Sequence, residues 1–153
     1  MSAAGTTTFC GLTIETGPGA LVPRAETELL IEAALARCGD APVFVDVCCG
    51  TGNLACAIAA ARPRARGWAL DLTAPCAELA RRNLTRLGFA DRVEVRQGDL
   101  LAPVADLAPG ALALIVCNPP YISTGKLATR DDLADEPREA FDGGPYGISI
   151  HQR

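Results

Sequence analysis

Histidine is nearly missing: the one at position 151 is the only one in 153 residues. The seven cysteines form no Cys-x-x-Cys pair. They stand at Cys10, Cys38, Cys48, Cys49, Cys56, Cys76 and Cys117, odd in number and irregular in spacing. A zinc centre needs two ligand pairs at short spacing, so no metal site is expected. Most of these thiols read as small core residues in a reducing compartment. An excess of positive charge is also lacking. The formal net charge is −4, which argues against a general nucleic-acid binder while leaving room for a local basic cleft. No stretch approaches the ~18 apolar residues of a membrane span. The opening "MSAAGTTTFC" has neither the basic region nor the apolar core of a secretory leader. No repeat or low-complexity tract stands out. The expectation is a cytoplasmic protein with no membrane contact.

What is present suits a folded core. Hydrophobic residues make up 49% and charged residues 21%, with a mean hydropathy of +0.19, which argues against disorder. The length suits one domain, residues 1–153. Residues 1–24 read as an extended or hairpin lead-in broken at Gly17-Pro18-Gly19. "AETELLIEAALARCG" reads as a helix with Leu29, Leu30, Ala33, Ala34 and Ala36 on one face and Gly39 as its stop. "PVFVDVCC" has no polar alternation, the look of a strand buried on both faces. "ARGWALD", "RVEVRQGD" and "ALALIVC" read as three more strands, with helices over "GTGNLACAIAAAR" and "APCAELARRNLTRLG". Strands alternating with helices predict a parallel sheet with helices on both faces, a core of β-α units over 25–121. Residues 122–153 are polar and turn-rich, with no further strand expected.

"VDVCCGTGNLA" stands between the first of these strands and its helix. Gly50 and Gly52 permit a tight turn and close approach to a ligand. The helix start adds oriented N–H groups. The third glycine of the dinucleotide fingerprint is absent. Asp71 closes the next strand about 20 residues on, a position suited to ribose hydroxyls. Asp99, in "QGDL", closes the third and can accept from an adenine amine. Simpler roles stay open: Asp71 as the cap of the helix beginning near Thr73, Asp99 as a turn former. Together the placement favours a ligand containing adenosine, at the strand C-termini where open parallel sheets bind.

The fourth strand, "LIVC", delivers Asn118-Pro119-Pro120-Tyr121 to the lip of that cleft. A rigid turn is the plain reading. The chemical reading is a clamp: the Asn118 side-chain carbonyl and the Pro119 main-chain carbonyl accept from one NH₂ group. The prolines pre-set this geometry, and Tyr121 offers a flat face. An amide nitrogen is a weak nucleophile, so its methylation rests on alignment and electrostatics rather than on a strong base.

"DVCCGTGNLA", "ALD", "QGDL" and "NPPY", in this order, resemble a class I S-adenosylmethionine-dependent methyltransferase. "GPGALVPRAETELL" (17–30) and "EPREAFDGGPYGI" (136–148) make the chain similar to the protein-(glutamine-N5) methyltransferases that modify peptide-chain release factors. The resemblance implies a Rossmann-like three-layer α/β sandwich and S-adenosyl-L-methionine as cofactor. It assigns Asp46, Cys48, Gly50, Thr51, Gly52, Asn53, Asp71, Leu72, Gly98, Asp99, Leu100 and Asn118 to the cofactor. It assigns Asn118, Pro119, Pro120 and Tyr121 to the acceptor amide. Pro23, Arg24, Glu26, Thr27 and Glu28 would shape the substrate rim, with Arg24 alternatively a surface ion-pair residue. The implied acceptor is a release-factor glutamine. A small-molecule amide or amine is the alternative acceptor, and an inactive cofactor-binding fragment the third reading. NPPY is shared with adenine DNA methyltransferases, but the acidic balance argues against DNA.

The resemblance implies an N-terminal helical domain and three further strands in relatives, and neither is expected within this sequence. A C-terminally truncated parallel sheet is therefore expected, with the fourth strand as an exposed apolar edge. A dimer, or a completing polypeptide, would cover it.

Overall fold

The computed structural model describes residues 4–130 and 138–152. Glu136 and Pro137 of the downstream motif lie outside the described residues. A hairpin opens the chain: β1 (Gly5–Phe9) pairs antiparallel with β2 (Leu12–Thr16). Its turn is Cys10-Gly11, both at positive φ (48° and 74°), the backbone that matches the twist of paired strands. The turn thus precedes the Gly17-Pro18-Gly19 break that the sequence suggested.

The main sheet is parallel, in the order β5-β4-β3-β6. It comprises β3 (Val43–Val47), β4 (Arg66–Asp71), β5 (Val93–Gln97) and β6 (Leu114–Cys117). Between them run α1 (Glu28–Leu35), α2 (Asn53–Ala61) and α3 (Ala74–Arg86). Side chains alternate between the faces of a strand. Phe44 joins one large cluster with Ile31 of α1, Leu54 to Ala59 of α2, Ala80 and Leu84 of α3, and Phe9 and Ile14 of the hairpin. Burying a side chain such as Ile58 stabilises the fold by roughly 1.5–3 kcal/mol. Val45, Val47 and Leu70 face the other way and meet Val104, Leu107 and Leu112. The expectation of helices on both faces is therefore met unevenly. The three long helices share one face, and among the described residues the other carries residues 100–112 with the 3₁₀ turn Ala102–Val104.

Two local differences have clear causes. α1 is apolar nearly all round, so periodicity did not fix its register: Ile31 and Ala34 are buried, while Leu29 stays 65% exposed. It ends at Leu35, short of Gly39, because Arg62 caps it, donating to Leu35 O (2.9 Å) and Gly39 O (3.2 Å). After Tyr121 come a one-turn helix, α4 (Thr124–Leu127), and a 3₁₀ turn, Arg138–Ala140. A lone parallel bridge, Ile122 to Asp142, joins the two segments. No helix among the described residues is long and apolar enough to cross a membrane.

Candidate cofactor and acceptor site

A cavity of about 370 Å³ opens where β3, β4, β5 and β6 end, the edge at which open parallel sheets take ligands. Its floor is laced together by the loops themselves. Past β3 the chain turns at Cys48 (φ 59°). Cys49 N–H then donates to Leu70 O (2.9 Å), and Gly52 N–H to Cys49 O (2.7 Å). Gly52 caps α2 at φ 75°. A Cβ there would lie 3.0 Å from the Ala80 Cβ of α3, so handedness and helix packing both require glycine. Gly50 N–H donates to Asp71 Oδ2 (2.9 Å).

Asp71 Oδ1 accepts from the Thr73 N–H (3.0 Å) and hydroxyl (3.1 Å). These three bonds use most of the roughly four lone-pair positions of a carboxylate. The cap of α3 is Thr73 itself, which accepts from Cys76 N–H (3.4 Å). Gly98 N–H donates to Asp71 O (2.8 Å), and Gln97 Nε2 to Leu72 O (3.1 Å), tying the exit of β5 to that of β4.

Asp46 is not in the cavity wall. It lies fully buried beneath the glycine loop, where Oδ2 accepts from Ala55 N–H (3.0 Å) and clamps α2 to β3. Its Oδ1 has no partner. Burial pushes this carboxyl well above its ordinary range, and the Ala55 N–H offsets only part of that.

The cavity wall is acidic. Among the described residues Asp71, Asp99 and Asp142 line it with Arg24, and Arg138 pairs with Asp142 (3.4 Å). Its thiols stay protonated. Burial holds Cys49 well above its usual range. Burial, then the charge of Asp71, lifts Cys76 to about 11. Cys76 donates to Gly19 O (3.0 Å).

β6 leads into the lip. Asn118 and Pro120 line the cavity, whereas Pro119 is buried under it. Tyr121, 64% exposed, lines a second concavity of about 530 Å³ with Tyr146, Glu26 and Lys126. The two hollows share Leu21 and Arg24. A strap formed by residues 138–149 braces this lip. Ile122 N–H donates to Phe141 O and Gly143 N–H to Ile122 O, both at 2.8 Å. Asp142 accepts from the Thr124 hydroxyl (2.6 Å) and Gly144 N–H (3.0 Å), which lowers its carboxyl from the usual range. Gly147 packs directly on the chain, since a Cβ there would lie 2.5 Å from Tyr121 O.

Of the residues singled out by sequence, Pro23, Arg24, Thr27, Cys48, Gly50, Thr51, Asn53, Asp71, Leu72, Gly98, Asp99, Leu100, Asn118 and Pro120 meet in the cavity wall. Asp46, Gly52 and Pro119 support it from behind. Glu26 and Tyr121 belong to the second hollow. Glu28 is directed elsewhere, accepting from Cys10 N–H (2.6 Å) to hold the hairpin on α1. Missed were Gly19, Leu21, Cys49, Leu54, Leu70, Thr73, Cys76, Ala140, Asp142 and Ile150. Asp142 sat inside the quoted "EAFDGG", a signal without an assigned role. Of the three non-glycine residues with positive φ among the described residues, Cys48 and Leu100 line this cavity, and such strain concentrates at working sites.

The fold and this arrangement define an open α/β domain with a cavity at its strand ends. The chain belongs to the methyltransferase small domain family, whose model matches residues 24–139. It is 40% identical over 147 residues to a release factor glutamine methyltransferase of Moorella thermoacetica, covering 94% of this chain and 51% of that one. It is 43% identical over 151 residues to the protein of the same name from Mycolicibacterium smegmatis, covering 95% and 51%. The chain thus spans about half the length of these relatives. Among solved structures, an RNA methyltransferase from Salinibacter ruber in complex with S-adenosyl-L-homocysteine superposes with a TM-score of 0.53 at 22% identity. That match covers 74% of this chain and 68% of that one, and it shows the shared fold.

Proposed function

We propose that the chain is an S-adenosyl-L-methionine-dependent N-methyltransferase domain acting on a glutamine side-chain amide of a protein, a peptide-chain release factor. The observation that carries this reading is Asn118 at the end of β6, on the lip of a cavity floored by Gly50, Asp71 and Asp99. The cofactor fits the lining. The Asp71 and Asp99 carboxylates at the strand ends suit the hydroxyl and amine donors of an adenosine-containing ligand. When bound, S-adenosyl-L-methionine supplies an electrophilic methyl group on a positively charged sulfur.

The chain's own residues do the rest by positioning. The Asn118 side-chain carbonyl and the Pro119 carbonyl accept from the acceptor's NH₂ group. The proline pair keeps both acceptors fixed. Tyr121 and Tyr146 flank the second hollow, by which the acceptor enters. The names of the two curated relatives supply the acceptor class. Seven free thiols accord with a cytoplasmic setting. The reading also gives β6 a second strand as partner, from a second copy or another polypeptide.

The test is methyl transfer to a release-factor peptide containing Gly-Gly-Gln. Labelling of its glutamine is expected. Transfer confined to small amides would replace the acceptor, and cofactor binding without any transfer would leave a binding fragment.

A further inference from the structure

We propose that Cys48 and Cys117 are a redox pair, closing to an intramolecular disulfide under peroxide and reopening under a thiol reductant. The placement comes from the sheet. Val47 and Cys117 are register partners on β3 and β6, and neighbouring strands lie ~4.8 Å apart. Cys48 is one residue further on. Its Cα therefore falls in the roughly 4.4–6.8 Å range that a disulfide spans.

Direction matters as much as distance. In a continuing strand, Cys48 would face away from the side occupied by Val47 and Cys117. Its φ of 59° breaks the alternation, and both cysteines pack against the same cluster around Val47 and Leu70. Both are free and half-buried, whereas Cys49, Cys56 and Cys76 are buried. Cys48 also lines the cavity, which gives a small oxidant a way in.

Chemistry favours an order of events. The interaction between the two side chains lowers the Cys117 thiol and raises that of Cys48. The Cys117 thiolate attacks one oxygen of hydrogen peroxide, the O–O bond breaks, and a sulfenic acid and hydroxide result. The Cys48 sulfur then attacks the sulfenic sulfur, its proton leaves with the sulfenic hydroxyl as water, and the proton that Cys117 gave up neutralises the hydroxide of the first step. Two thiols and one peroxide give one disulfide and two waters. The bond would join the glycine loop to β6 one residue before Asn118. Transient disulfides of this kind are the form expected in a reducing compartment.

The inference goes beyond methyl transfer, and its test is independent of it. The reduced whole chain is treated with increasing hydrogen peroxide, alkylated, digested and analysed by mass spectrometry. The expected product is a peptide pair cross-linked through Cys48 and Cys117, two hydrogens lighter than its parts and lost on adding dithiothreitol. In Cys117→Ser, with its fold checked by circular dichroism, that cross-link should vanish. A Cys48–Cys49 bond, intermolecular bonds through exposed Cys10, or sulfinic acids without a cross-link would overturn the proposal. The unsubstituted chain decides the matter even if the variant fails to fold.

Discussion

Asp46 is the residue most at odds with its surroundings. It is a fully buried carboxyl with one oxygen unpartnered, and burial raises its folded pKa. A raised folded value means that its contribution to stability is complete below the unfolded value, ~3.9. That contribution is lost as pH climbs through the folded value. Asp46→Asn keeps an acceptor for Ala55 N–H and removes the charge. It should stabilise the fold at pH 7, where burial disfavours the carboxylate. The gain should fade at pH 3.5, as thermal unfolding of both proteins at both pH values would show. An equal gap at the two pH values would contradict the assignment.

Asp71 and Asn118 should separate from each other in the opposite sense. Asp71→Ala removes the brace on Gly50 and Thr73 and should weaken S-adenosyl-L-homocysteine binding about tenfold or more, the equivalent of ~1.4 kcal/mol. Asn118→Ala should abolish transfer and leave that affinity nearly unchanged. Calorimetric titration beside a transfer assay tests both, and equal loss of affinity in the two variants would refute the clamp.

At the scale of elements, the strands and the order of β-α units were legible because each buried strand is a short apolar run bounded by turn residues. The distribution of helices over the two faces was not. Leu-Ala-rich helices such as α1 and α2 carry too little polar contrast to choose a side. Least legible was Asn83, a fully buried amide in the middle of α3. It accepts from Glu15 N–H (2.8 Å) and donates to Glu15 O (3.0 Å) and Thr51 O (2.9 Å). Arg86 also donates to its Oδ1 (3.4 Å), but the closer partners are backbone groups of the hairpin and the glycine loop, far away in sequence, and backbone leaves no mark on residue type. Asn83→Ala would orphan all three and should cost roughly 3 kcal/mol. Urea unfolding should show a lower midpoint at unchanged slope. The neighbouring Arg82 and Arg86 pairs with Glu15 are partly exposed and should contribute no more than ~1 kcal/mol each. A loss at Asn83 no larger than that would mean the hairpin and loop hold without it.

For the molecule as a whole, the sheet edge decides behaviour in solution. Among the described residues β6 pairs with β3 alone. Its Ile115 is 54% exposed on the face that, among the described residues, carries residues 100–112. Unpaired N–H and C=O groups beside an apolar side chain form a template for another strand. Partly covered sheets of this kind associate at micromolar concentrations. Sedimentation at tens of micromolar should therefore find dimers or larger species, and a stable monomer would refute this. Ile115→Lys places a charge on the edge and should shift the population towards monomer with an unchanged circular dichroism spectrum. Ile115 is no part of the cavity wall, so the variant should bind S-adenosyl-L-homocysteine as tightly as the parent chain. A variant that becomes monomeric and loses binding would mean instead that the cavity is completed across the associated edge, with the partner strand part of the site.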